Sequence, residues 1–124
     1  MTDPEVTMSK PAVHTTLIAH HKALEAAGDS IALALKVPAP LRSIADQVIR
    51  AANSVAANLA EGQGRNGRDR MHFWRIAYAS AREVDSHLRL LAGAGVLDSR
   101  RAAKALATFD EVRAMIWRLL NPRT

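Results

Sequence analysis

The sequence predicts an all-α protein, an antiparallel up-down-up-down four-helix bundle. Two observations predict it. Four segments carry apolar residues at helical spacing, separated by short breaks that contain proline or glycine. One of them, Leu41 to Glu61, holds a heptad seam: Leu41, Ala45, Val48, Ala52, Val55 and Leu59 step alternately by four and three. That spacing belongs to helices packed in bundles and coiled coils. No stretch alternates apolar and polar residues between turn signals, so no strand is predicted.

The first helix is predicted from Val13 to Lys36, with Leu17, Leu24, Ile31 and Leu35 as its apolar stripe. Gly28 near that stripe marks either a close helix contact or a kink, with Asp29 as a restarting cap. Val37-Pro38-Ala39-Pro40 ends the segment, because proline removes a donor and restricts its predecessor. The second helix carries Ser43, Gln47, Arg50, Ser54, Asn58 and Glu61 opposite its seam, and Gly62 reads as its stop. The third, Arg68 to Ala94, has Phe73, Ala77, Val84, Leu88 and Leu91 as its core row, and Gly93 and Gly95 end it. Ile76, Glu83 and Leu90 lie on one flank of that row, Trp74 and Tyr78 on the other. The fourth, Ser99 to Leu120, starts at Asp98 or Ser99, and Leu106, Phe109, Val112, Ile116, Leu119 and Leu120 share one side. Asn121-Pro122 stops it. Three short connections make consecutive helices antiparallel. Residues 1–12 are expected as a disordered tail, 13–121 as the bundle and 122–124 as a C-terminal tail.

A chain of 124 residues suits one domain. Cysteine is absent, which excludes disulfides and thiolate metal sites and fits a cytoplasmic location. No apolar run reaches the roughly 18 residues of a membrane span, and the N-terminus lacks the order of a signal peptide. Seventeen Lys and Arg face twelve Asp and Glu, a formal charge of +5. Thirteen of the seventeen are arginine, the side chain suited to bidentate contact with phosphate or carboxylate. A polyanionic partner is therefore plausible.

Gln47-Val48-Ile49-Arg50-Ala51-Ala52-Asn53-Ser54-Val55-Ala56-Ala57-Asn58-Leu59-Ala60-Glu61-Gly62 resembles the signature helix of the 23S rRNA intervening-sequence family. Phe73, Ala77, Ser80, Glu83 and Leu88 stand where that family has the same residue types. The resemblance covers Pro38 to Leu97, and the outer helices match by pattern. Asn53, Ala57 and Ala79 depart from the usual family choices. The resemblance implies a four-helix bundle assembling as a ring-like homopentamer. It also implies kinship with the accessory proteins of diversity-generating retroelements, which bind a reverse transcriptase and nucleic acid. For most members of that family the biochemical role is not known, so the resemblance implies the fold rather than a function.

Gly62-Gln63-Gly64-Arg65-Asn66-Gly67 has the spacing of a dinucleotide-binding loop, but it follows a helix rather than a strand. It reads as a helix-ending loop, with Arg65 and Arg68 placed for a phosphate at a helix start. Arg68, Arg75, Arg82 and Arg89 recur every seven residues. They form one row whose members stand about 10 Å apart along the axis. With Arg65 they are the candidate nucleic-acid contacts. The competing reading is a solvated face laced with local pairs such as Asp85 with Arg89 or Arg82.

Gln47, Arg50, Ser54, Asn58, Glu61, Ser80 and Glu83 are read as a structural polar network or subunit contact. No histidine sits at a fixed neighbouring position to activate either serine, so no catalytic role is assigned. Arg113 falls on the apolar side of the fourth helix and is expected to snorkel or to pair with a carboxylate such as Glu83. His20, His21 and Glu25 lack a matching second motif, so neither metal nor cofactor is expected. Two functions follow: a homo-oligomeric scaffold binding RNA or another nucleic acid, or an adaptor holding a protein through Trp74, Tyr78 and Trp117.

Overall fold

Helix α1, Lys10–Ala34, begins where Ser9 accepts a hydrogen bond from the Ala12 N–H at 3.3 Å. A computed structural model describes residues 8–122. A 3-10 turn, Ala39–Leu41, leads into α2, Arg42–Gln63, followed by α3, Gly67–Gly93, and α4, Ser99–Leu120. There is no strand among the described residues. Each helix packs on its neighbours in sequence, and α4 closes against α1. The α2–α3 interface is the most extensive. The short connections make neighbours antiparallel.

The helix ends have local causes. α1 starts three residues before the expected Val13, because Pro11 falls in the first turn, where its missing donor is harmless. The rest of the expected tail, residues 1–7, lies outside the described residues. At α4, the Asp98 carboxylate accepts from the Arg101 N–H at 2.8 Å, a cap worth about 1 kcal/mol. α3 ends in a Schellman motif. Gly95 takes φ 77°, its N–H donates to Ala92 O at 3.0 Å, and the Val96 N–H donates to Leu91 O at 3.3 Å.

The core differs from the expected rows in two places. On α1 the buried face is Thr16, Ala19, Ala23, Ala26, Ala27, Ser30, Leu33 and Ala34. Leu17, Leu24 and Leu35 point outward at 53%, 52% and 70% exposure, and Ile31 is half-buried. Both stripes have helical spacing, and packing decides between them. The largest fully buried side chains are Trp74, Phe109, Leu59, Leu88, Leu91 and Ile116, all from α2, α3 and α4. Small residues on α1 let it pack closely on α2 and α4, its two neighbours in the bundle. Buried Thr16 satisfies its hydroxyl by donating to Ala12 O at 2.8 Å.

On α3, Trp74 is buried at 2% exposure, while Phe73 is half-buried. The indole thus takes the core position expected of its neighbour. Gly28 meets nothing within 4 Å of a built Cβ and lies inside an unbroken helix, so it is neither a contact nor a kink. Asp29 is not a cap; its carboxylate lies 3.6 Å from Lys104 Nζ. Lys22 Nζ reaches Glu111 at 2.9 Å. Both pairs link α1 to α4 at the surface, where such a bridge contributes about 0–1 kcal/mol.

Candidate nucleic-acid interface

The α2–α3 corner fixes the start of the arginine row. α2 runs one residue beyond Gly62, which is buried in the helix instead of stopping it. A Cβ built on Gly62 would lie 2.5 Å from both Cδ1 and Nε1 of Trp74. Glycine here permits the indole to lie directly against the α2 backbone. Trp74 Nε1–H donates to Leu59 O at 3.3 Å. Arg70 Nε–H donates to Gly62 O at 3.2 Å, and its guanidinium lies 5.7 Å from the Trp74 ring centre, within cation–π range. This latch was missed in the sequence because a glycine near a helix end has two readings, stop or close approach.

Farther along the same seam, Ser54 Oγ and Ser80 Oγ are 2.7 Å apart. Asn58 Nδ2 donates to Ser54 O at 2.8 Å and to Ser54 Oγ at 3.0 Å. With Asn58 donating to it, Ser54 has its proton available for Ser80. The structure therefore brings together Ser54, Asn58 and Ser80. Glu61 instead pairs with Arg65 at 3.0 Å, and Gln47, Arg50 and Glu83 are exposed and take no part in these hydrogen bonds. Asn58→Ala is expected to lower stability by about 1 kcal/mol, one to two net hydrogen bonds, as read by urea unfolding. An unchanged midpoint would mean that the knot adds nothing.

Arg68, Arg75, Arg82 and Arg89 are all exposed on α3. Among the described residues, no carboxylate lies within 4.0 Å of Arg68, Arg75 or Arg82. Arg89 Nε donates to Asp85 Oδ1 at 2.7 Å, and this bond raises the guanidinium pKa above its ordinary value. Arg65 turns away from the row: besides pairing with Glu61, it lies 5.1 Å from the Phe73 ring centre. Arg113 pairs with Asp110 on its own helix and lies 3.9 Å from Asp85, not against the expected Glu83.

Asp85 and Arg113 bring α3 and α4 together beside an open groove. Tyr78, Asp110, Arg113, Ala114, Trp117 and Arg118 line it, enclosing about 410 Å³. A second cavity of about 290 Å³ at the end of the bundle is largely apolar, bounded by Met8, Met71, Trp74 and Leu119, with Arg70 and Arg118 on its rim. The first groove was not assembled from the sequence, although Tyr78 stands three residues after Arg75 and four before Arg82, on the same helical face. No helix of the described residues is long and apolar enough to cross a membrane.

These features define a class of protein: a four-helix bundle whose second helix carries Asn58-Leu59-Ala60-Glu61-Gly62 in its last turns, locked through Gly62 to Trp74 two turns into the third. The chain belongs to the 23S rRNA-intervening sequence protein family, whose model matches residues 15–118. Among solved structures it is similar to a protein of unknown function from the S23 ribosomal protein family of Bacteroides thetaiotaomicron. The TM-score is 0.78 at 19% identity, covering 86% of this chain and 98% of that one. At that identity the likeness establishes the fold. No curated protein matches the chain.

Proposed function

We propose that this protein is a non-enzymatic, cytoplasmic homo-oligomer, pentameric as the family resemblance implies, that binds RNA or another nucleic acid through the arginine row of α3. One observation carries the reading: Arg68, Arg75 and Arg82 recur every seven residues without a carboxylate partner among the described residues. Arg89 extends the row with its charge partly matched by Asp85. Phosphates contacted this way give affinity without base readout, and binding weakens steeply with salt. Several copies in a ring multiply a weak contact into avidity. Supporting assembly, Leu17, Leu24 and Leu35 leave an apolar stripe outside the monomer core. Supporting a non-catalytic role, the Ser54 and Ser80 hydroxyls bond each other rather than an imidazole.

The test is light scattering coupled to size exclusion, with and without a structured RNA, followed by binding isotherms across a salt series. The reading expects a ring-sized particle that takes up RNA at low salt. Combined replacement of Arg68, Arg75 and Arg82 by glutamine is expected to reduce the slope of log affinity on log salt by about 2 per protomer engaged, at roughly 0.7 per single-strand phosphate contact. Unchanged affinity and slope in that variant would refute the arginine contacts.

A second reading, a protein-binding adaptor, is favoured by the same exposed leucines together with Leu90 and Trp117. Trp74 no longer belongs to it, since its ring is buried. Capture of a protein partner that survives nuclease treatment, from a particle indifferent to RNA, would favour the adaptor.

A further inference from the structure

We infer that the groove between α3 and α4 receives an unstacked base of a single-stranded nucleic acid, held against Trp117 and Tyr78 while the strand's phosphates follow the arginine row. The inference rests on the proposed backbone contacts for its electrostatic half. Its own observation is the pair of aromatic rings beside that row. Trp117 is half exposed, Tyr78 is half-buried, and both line a groove of about 410 Å³.

The charges around the groove favour a polyanion. Its two neighbouring carboxylates are already matched, Asp85 by Arg89 and Asp110 by Arg113. Arg75 and Arg82 flank Tyr78 at three and four residues on the same face, and Arg118 lines the groove itself. Among the described residues none of these three arginines has a carboxylate within ion-pair distance. A cationic track beside an aromatic platform is the arrangement that binds single strands without sequence preference, because every base has a π-face to stack. A duplex presents phosphates to the same arginines, but its bases are stacked on one another and do not reach the rings. The groove therefore adds to electrostatic attraction a preference for unpaired nucleic acid.

The experiment compares three labelled probes by fluorescence anisotropy at low salt: a uridine oligomer, an abasic oligomer of equal length and charge, and a duplex. It uses the full chain, its Trp117→Ala and Trp117→Phe variants, and the triple arginine variant. Trp117 is a surface residue, and thermal melts check that each variant folds. The wild type is expected to bind the uridine oligomer about tenfold or more tighter than the abasic one, the range of one stacked base. Trp117→Ala is expected to erase that gap while leaving abasic binding and its salt slope unchanged, and Trp117→Phe to restore it. Equal wild-type affinity for the uridine and abasic strands, or a gap that persists in Trp117→Ala, overturns the stacking site and leaves the arginine reading standing. If no probe binds the wild type, or if the triple arginine variant binds the abasic strand as well as the wild type does, the arginine reading falls and the inference falls with it.

Discussion

Gly62→Ala is expected to lower the melting temperature by about 10 °C, a loss of about 2–4 kcal/mol. The added methyl would meet Trp74 Cδ1 and Nε1 at 2.5 Å and the Arg70 carbonyl at 3.1 Å. The indole cannot yield cheaply, because it is buried and its N–H is committed to Leu59 O. Overpacking of this kind costs about 1–3 kcal/mol. Leaving the indole N–H or the Leu59 carbonyl buried without a partner adds about 1–3 kcal/mol. Against this stands a helix-propensity gain of about 1 kcal/mol for alanine over glycine. Gly28→Ala isolates that gain, since nothing lies within 4 Å of its added methyl; it should stabilise modestly. Trp74→Phe in the Gly62→Ala background should recover part of the loss, giving a measurable coupling between the two sites. A Gly62→Ala melt within about 2 °C of wild type would mean the ring does not lie against the α2 backbone.

The second large effect is expected at Phe109. Phe109→Ala should cost about 3–5 kcal/mol, since the ring is buried at 1% exposure in the core to which all four helices contribute. The informative companion is Leu24→Ala. If the leucine stripe of α1 faced the core, removing Leu24 would cost about 2–5 kcal/mol. With Leu24 half exposed, the loss should stay within about 0.5 kcal/mol for the isolated chain. Urea unfolding at several protein concentrations reads both. A large loss for Leu24→Ala that does not depend on concentration would return the stripe to the interior. One that varies with concentration would mark a surface covered on assembly.

The α2 seam was legible because its large and small apolar residues fall on one heptad line, and all of them but Leu41 are buried. The α4 side was legible for the same reason, although Leu106 and Leu120 are only half-buried. α1 was misread because periodicity records spacing, and two stripes there share it. Hydropathy ranks leucine above alanine, yet the close packing of α1 on α2 and α4 admits the smaller residue. Phe73 and Trp74 were exchanged because adjacent aromatics stand about 100° apart on a helix, from 3.6 residues per turn, and only the glycine opposite decides which one enters. In the candidate interface, the arginine row was legible from its interval alone. The partners of Arg65 and Arg113 were not equally so. Arg65 found a carboxylate one turn away, whereas Arg113 took Asp110 and Asp85 in place of Glu83, a choice set by how α3 and α4 face each other.

The alanine lining of α1 has a consequence for how such a chain changes over generations. Ala19, Ala23 and Ala26 are fully buried and have almost no side-chain volume to lose, so viable change at these sites runs toward enlargement. Enlargement meets an interior that is already full. On α4, which packs against α1, Phe109 and Ile116 face the opposite restriction, since shrinking either leaves a void. Neither half can drift far alone. Substitutions inside this bundle should therefore accumulate as matched exchanges, a growth on α1 accompanied by a reduction on the helix facing it, while the outward leucines vary independently in any context that leaves them uncovered.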